Sequence, residues 1–237
     1  MQTRRSEPLH RMFTAVPRRY DLVNHVITLG IDKRWRWKAA RKCLTTHPRK
    51  VLDLCCGTGD LALNLAQLAD NNTELTGIDY SQPMLKIAAK KAASSGRGDI
   101  SFIHGDVASL PFPDGYFDCV GISFAFRNLT YKNPLTRRYL AEVLRVLTAG
   151  GRFVIVETSQ PKSKLIRKLF HLYMRWFVSR VGHWLSGNKG AYHYLAESAA
   201  HFFTAEEAEA MLLAAGFHQV SFRPLLFGAV GIYVAVK

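Results

Sequence analysis

Between residues 50 and 157, short apolar or β-branched runs alternate with segments of helical spacing. That alternation predicts a parallel sheet covered by helices on both faces. Strands are expected at about 50–54, 74–79, 100–105, 116–122 and 152–157, and helices near 60–69, 82–94 and 133–147. Gly150-Gly151 reads as the C-cap of the last of these helices. Ahead of this body, Pro8 to Cys43 predicts two helices parted near Gly30. Behind it, helical spacing runs from about 163 to 185 and again over 204–215. Two strands, 217–225 and 229–236, joined around Phe227-Gly228, then form an antiparallel pair. The expectation is a doubly wound Rossmann-like α/β fold, with a seven-stranded, mostly parallel sheet whose last strand is antiparallel. Its parts are an N-terminal helical lid (1–48), a ligand-binding core (49–160), an inserted basic helical cap (161–203) and a C-terminal helix and β-hairpin (204–237).

Composition narrows the class. A chain of 237 residues with 48% hydrophobic and 21% charged residues is an ordinary globular protein, and no repeat of 20 to 50 residues suggests a solenoid. The longest apolar run, Leu225 to Val236, falls short of the roughly 20 residues a membrane helix needs. No signal-peptide core is read at the N-terminus. Cys43, Cys55, Cys56 and Cys119 have neither disulfide-framework nor zinc spacing, so a reducing compartment and no metal are expected. The net charge of +14 is unevenly distributed: residues 1–50 hold 13 basic and 3 acidic groups, and residues 161–190 hold 7 basic and none acidic. Two basic segments on a nearly neutral body suggest attraction to an anionic surface or polymer.

The chemistry concentrates at VLDLCCGTGDLAL, Val51 to Leu63, a strand that breaks at Gly57-Thr58-Gly59 and resumes as a helix. Such a turn lets backbone approach a ligand and aims helix N-terminal N–H groups at it. Asp79, 20 residues after Gly59, ends the next strand where a carboxylate can accept from ribose hydroxyls. The glycine spacing alone also fits a dinucleotide such as NAD. Three further features resemble S-adenosylmethionine (SAM) methyltransferases: Asp53 within the strand, Gly105-Asp106-Val107 after the third strand, and LPFPDGYFDCV, Leu110 to Val120. Ammonium and sulfonium groups tolerate nearby carboxylates, whereas a pyrophosphate gains nothing from Asp53.

Other segments are more specific. YDLVNHVITLGIDKRWR (Tyr20 to Arg36), RVLTAGGRFVIVETS (Arg145 to Ser159), SFAFRNL (Ser123 to Leu129) and AYHYLAESAAHF (Ala191 to Phe202) resemble the ubiquinone/menaquinone C-methyltransferase family, the UbiE/MenG type. Departures such as Val23, Thr28, Ala125-Phe126, Thr148-Ala149 and Ala196 are apolar or small. The resemblance implies a class I SAM methyltransferase fold and S-adenosyl-L-methionine as cofactor, with cofactor contacts at Asp53, Gly57, Thr58, Gly59, Asp79, Tyr80, Asp106, Val107 and Ser123. It also implies transfer of a methyl group to a ring carbon of a reduced prenylated quinone, demethylmenaquinol in first place or a 2-methoxy-6-polyprenyl-1,4-benzoquinol.

Deprotonating a phenol, whose pKa is near 10, makes the carbon beside it electron-rich, so a cation near the ring oxygen is expected. Arg127 with Asn128 is the candidate catalytic pair; the alternative for Arg127 is a surface ion pair. Tyr20, Asp21 and Asn24 either close a lid over the cofactor or pack as an ordinary helix. Tyr192 and His193 either border the quinol or are structural. In Lys164 to Leu185, the apolar positions Leu165, Leu169, Tyr173, Trp176, Phe177 and Trp184 sit opposite Lys164, Lys168, His171 and Arg175. That helix either lies on an anionic membrane, as a peripheral protein at the cytoplasmic face would, or packs its stripe on the domain. Rival classes are an RNA-binding methyltransferase and an NAD-linked oxidoreductase. No RNA-binding motif is found, so no nucleic-acid partner is expected.

Overall fold

The computed structural model describes residues 17–178, 180, 181, 184 and 196–237. Its elements run α1 (Pro17–Ile27), α2 (Ile31–Cys43), β1 (Lys50–Leu54), α3 (Asp60–Leu68), β2 (Glu74–Asp79), α4 (Gln82–Ser94), β3 (Ser101–His104) and β4 (Phe117–Ser123). There follow α5 (Phe126–Thr130), α6 (Thr136–Val146), β5 (Leu147–Thr158), α7 (Lys164–Tyr173), α8 (Ala205–Ala214), β6 (Gln219–Leu225) and β7 (Val230–Val236). The seven strands form one sheet in the order β3-β2-β1-β4-β5-β7-β6, parallel except for β7, which runs antiparallel to both β5 and β6. The expected topology is present.

Period-two alternation assigns each strand's residues to two core layers. Leu52 and Leu54 of β1, Val120 and Ile122 of β4 and Phe153 and Ile155 of β5 face the layer under α6 and α8. Val51, Cys119, Val154 and Val156 face α2 and α3 on the other side. Asp53 shares Val51's face, where α3 begins, and that is how a strand acid reaches the glycine turn.

Two local expectations change. Helix α6 ends at Val146 and passes directly into β5, so Gly150-Gly151 is not its cap. These glycines sit where β5 slips register against β4, between Phe117↔Leu147 and Cys119↔Arg152, and the Gly150 N–H donates to the Lys237 carbonyl. The expected elements place no helix between the fourth strand and residue 133, where the structure has the short helix α5.

The cap's apolar residues also divide in an unexpected way. Ile166, Phe170, Met174 and Val178 turn inward, and Phe170, Met174 and Val178 meet Val23 and Ile27 of α1 and Ala196 and Ala199. Tyr173 Oη donates to the Ile27 carbonyl. The N-terminal helix and the cap thus share a small core, and Leu165, Leu169, Leu172, Trp176, Phe177 and Trp184 remain exposed.

Candidate functional site

In a doubly wound sheet, ligands bind at the carboxyl ends of the strands where the order reverses. Here that point lies between β1 and β4, whose following residues, Cys55 and Phe124, both hold left-handed backbone at φ 54°. Non-glycine residues in that region cost about 1–3 kcal/mol each and collect at ligand sites. A cleft of about 150 Å³ opens there. Asp53, Gly57, Thr58, Asp79, Tyr80, Asp106, Val107 and Ser123 line it, as do Asn128, Tyr139 and Arg36.

The glycine turn is held by side chains as well as by α3. The N–H of Gly57 donates to Asp79 Oδ2 at 2.8 Å, and Ser81 N–H donates to Asp79 Oδ1 at 2.8 Å, which fixes the carboxylate at the tip of β2. Gly59 lies behind the cleft rather than on its wall. It holds φ 83°, and a Cβ there would sit 3.0 Å from Ala88 Cβ, so glycine serves the close packing of the turn on α4. Asp106 Oδ1 caps the turn after β3 by accepting from Ala108 N–H at 2.9 Å.

Asp53 is 2% exposed. Its Oδ2 accepts from Ala62 N–H at 2.8 Å, and its Oδ1 has no hydrogen-bond partner. Burial pushes its carboxyl well above the usual carboxylate range, and the neighbouring charges of Asp79 and Asp60 add to the rise against the Ala62 N–H and Arg36. A buried acceptor with no donor is costly unless a ligand completes it. Burial likewise pushes the Cys55 and Cys56 thiols up, so neither is a thiolate nucleophile.

Of the lid residues, Asp21 reaches the cleft loop. It accepts from Thr58 Oγ1 at 2.6 Å and pairs with Lys91 Nζ at 2.8 Å, while Lys91 also holds Asp60 at 2.6 Å. Burial alone would lower the Lys91 pKa, but Asp60 and Asp21 raise it overall. Asn24 lies on the same helix and does not line the cleft. Tyr192, His193 and the side chain of Tyr20 lie outside the described residues.

The Arg127-Asn128 pair divides. Asn128 lines the cleft with a buried Oδ1 that has no partner. Arg127, 3% exposed, sits behind it: Nη1 donates to Glu157 Oε1 at 2.8 Å and to Thr158 Oγ1 at 3.1 Å, and its backbone N–H donates to Glu157 Oε2 at 3.0 Å. Its partner is a fully buried carboxylate, not a surface one. Sequence reasoning missed Glu157 and Arg36. The available signals were an acid ending the buried run FVIV, since a buried charge demands a partner, and the helical stripe Asp32, Arg36, Ala39, Ala40, Cys43.

The walls carry Asp53, Asp60, Asp79 and Asp106 against one lining cation among the described residues, which suits a positively charged ligand such as a sulfonium. With the orphaned Asp53 oxygen and the turn at Gly57, these residues fit SAM.

A model of the ubiE/COQ5 methyltransferase family matches residues 1–237. A demethylmenaquinone methyltransferase of Deinococcus radiodurans is 40% identical over 233 residues, 98% of this chain and 94% of the relative. A ubiquinone/menaquinone biosynthesis C-methyltransferase UbiE of Geobacter sulfurreducens is 34% identical over 236 residues, 99% of this chain and 90% of the relative. Among solved structures, a SAM-dependent methyltransferase of Aquifex aeolicus superposes with a TM-score of 0.58 at 17% identity. It covers 83% of this chain and 88% of its own, a likeness of fold.

Proposed function

The chain belongs to the ubiE/COQ5 methyltransferase family, and on that footing we propose that it C-methylates a reduced prenylated quinone, with demethylmenaquinol as substrate. The observation that carries the donor half is the acidic cleft at the switch point with the orphaned Asp53 oxygen. The acceptor half is supported by relatives named for demethylmenaquinone, similar over nearly the whole chain.

Bound SAM would supply a methyl group on a sulfonium: the ring carbon of the quinol would gain it as the methyl–sulfur bond broke to leave S-adenosylhomocysteine, and the proton on that carbon would be lost to solvent. This chain's part is to bind, orient and exclude water. Asp79 is assigned to the donor's ribose and Asp106 with Val107 to its base. The Asp21 contacts to Thr58 and Lys91 close α1 over the turn. Asn128, on the wall with a spare acceptor, is assigned to a quinol hydroxyl. Arg127 stands directly behind it and keeps positive charge near the oxygen from which the phenolic proton leaves. Glu157 holds that guanidinium in place.

A prenylated substrate resides in a bilayer, and the outer surface of α7 and of the helical residues that follow it suits docking on an anionic one. Leu165, Leu169, Leu172, Trp176 and Phe177 are exposed beside exposed Lys164, Lys168, Arg175 and Arg180. Basic residues near such a surface contribute about 1 kcal/mol each. No helix among the described residues is long and apolar enough to cross a membrane.

The deciding experiment incubates the protein with SAM and either reduced demethylmenaquinone or the reduced benzoquinone analogue, and identifies products by mass. A methylated naphthoquinol is expected. Methylation of the benzoquinol alone would reassign the substrate, and methylation of neither would end the quinol reading.

A further inference from the structure

Arg36 is buried on the wall of a cleft whose other charged lining residues are all carboxylates, and the roles assigned so far leave it unused. It is anchored on one side. Nη1 donates to Asp32 Oδ2 and stands 3.7 Å from Asp60 Oδ2, Nε donates to Ser123 Oγ at 3.1 Å, and the guanidinium lies 5.4 Å from the centre of the Phe124 ring. Nη2 bonds to no described residue.

The anchor is itself well built. Asp32 is 1% exposed and also accepts from Thr28 Oγ1 at 2.7 Å and contacts His25 Nδ1 at 2.9 Å. Burial would raise the Asp32 pKa, but the Thr28 bond and the Arg36 charge bring it down overall. The guanidinium is therefore held rigidly, with Ser123 fixing its plane, while one of its donor arms is left over. A purely structural pair has no need to border the cleft.

The same cleft contains the complementary fault, Asp53 Oδ1, a buried acceptor without a donor. A spare guanidinium arm and a spare carboxylate oxygen in one cleft match a group that carries an anion and a cation on the same carbon, the head group of an α-amino acid. We infer that Arg36 receives the α-carboxylate of the methyl donor's methionine half, with Asp53 accepting from its ammonium.

This inference rests on the assignment of the cleft to SAM. It makes Arg36 the residue that separates the intact donor from its decarboxylated form, which keeps the adenosine, the sulfonium and the methyl group. A charge-assisted hydrogen bond contributes about 1.5–3 kcal/mol, or roughly 10- to 100-fold in affinity.

The test is calorimetric binding of SAM and of decarboxylated SAM to the wild-type protein, Arg36→Met, Arg36→Lys and the double variant Asp32→Asn/Arg36→Met. The double variant removes both charges and so leaves no buried unpaired carboxylate. The wild type should bind SAM at least about 10-fold tighter than the decarboxylated form. Arg36→Met and the double variant should lose affinity for SAM while holding the decarboxylated form within a few-fold, and Arg36→Lys should fall between. Equal wild-type binding of the two ligands would overturn the assignment of Arg36 alone. So would an equal loss of both in folded variants. Wild-type protein that binds neither ligand would bring down the donor cleft itself, and this inference with it.

Discussion

At the scale of single residues, the site turns on a few buried polar groups, of which Asp53 keeps one carboxylate oxygen without a hydrogen-bond partner. Asp53 makes this measurable. Its carboxyl pKa is raised in the folded protein above the unfolded value of about 4, so the folded state holds the proton more tightly. Stability from that source is complete below the unfolded pKa and declines as pH climbs towards the folded one. In thermal melts of ligand-free protein, Asp53→Asn should therefore raise Tm near neutral pH, with the gain vanishing towards pH 4, and it should weaken SAM binding at both. A pH-independent effect would contradict the burial argument. Arg127 needs a different design, because removing one member of a buried ion pair costs about 3–5 kcal/mol by itself. The double change Arg127→Met/Glu157→Gln should stay folded, bind SAM normally and lose most turnover; normal turnover would remove Arg127 from the mechanism. Of these residues, Asp79 was legible from its spacing after the glycine turn, and Asp53, Asp106 and Arg127 from the family resemblance. Glu157 and Arg36 were hidden, one inside an apolar strand and the other in a run dense with exposed charge, where only the three-dimensional partner distinguishes a buried group from a solvated one.

At the scale of elements, the glycine turn and the strands flanking it were readable from alternation, while the cap was readable only as amphipathic. Spacing places Leu165, Leu169 and Trp176 on one face but cannot say whether that face is inner or outer. Phe170, Met174 and Val178 take the inner position because α1 supplies Val23 and Ile27 opposite them, a tertiary fact. The double variant Leu169→Ser/Trp176→Ser should leave Tm unchanged, since both side chains are exposed. It should also release the protein from anionic vesicles in sedimentation, as should raised salt. Undiminished binding would detach the α7 face from any membrane role. The hairpin β6–β7 offers a packing test. A Cβ on Gly231 would lie 1.9 Å from the Phe222 ring, so Gly231→Ala must displace that ring and should cost about 1–3 kcal/mol in denaturant unfolding. The C-cap expected at Gly150-Gly151 failed for a reason local to this element: those glycines serve a register slip between β4 and β5, and the helix before them stops at Val146 without a glycine.

For the whole molecule, seven strands in the order β3-β2-β1-β4-β5-β7-β6 bring residues between Arg36 and Tyr139 together at the carboxyl ends of the parallel strands. Asp21 from α1 latches the turn after β1, and α1 in turn packs on the cap, so donor cleft, lid and cap are mechanically continuous. Anything that fills the cleft should stabilise all three. SAM at about 100-fold above its Kd should add about 2.7 kcal/mol and raise Tm, whereas NAD should leave it unchanged. The measurement that reaches the central claim most directly follows the transferred methyl itself, by mixing the protein with reduced demethylmenaquinone and a donor isotopically labelled in its methyl carbon, and locating the label in the product by NMR. The account predicts the label on a ring carbon of the naphthoquinol. Label on a quinol oxygen, or label that never leaves the donor, would contradict it.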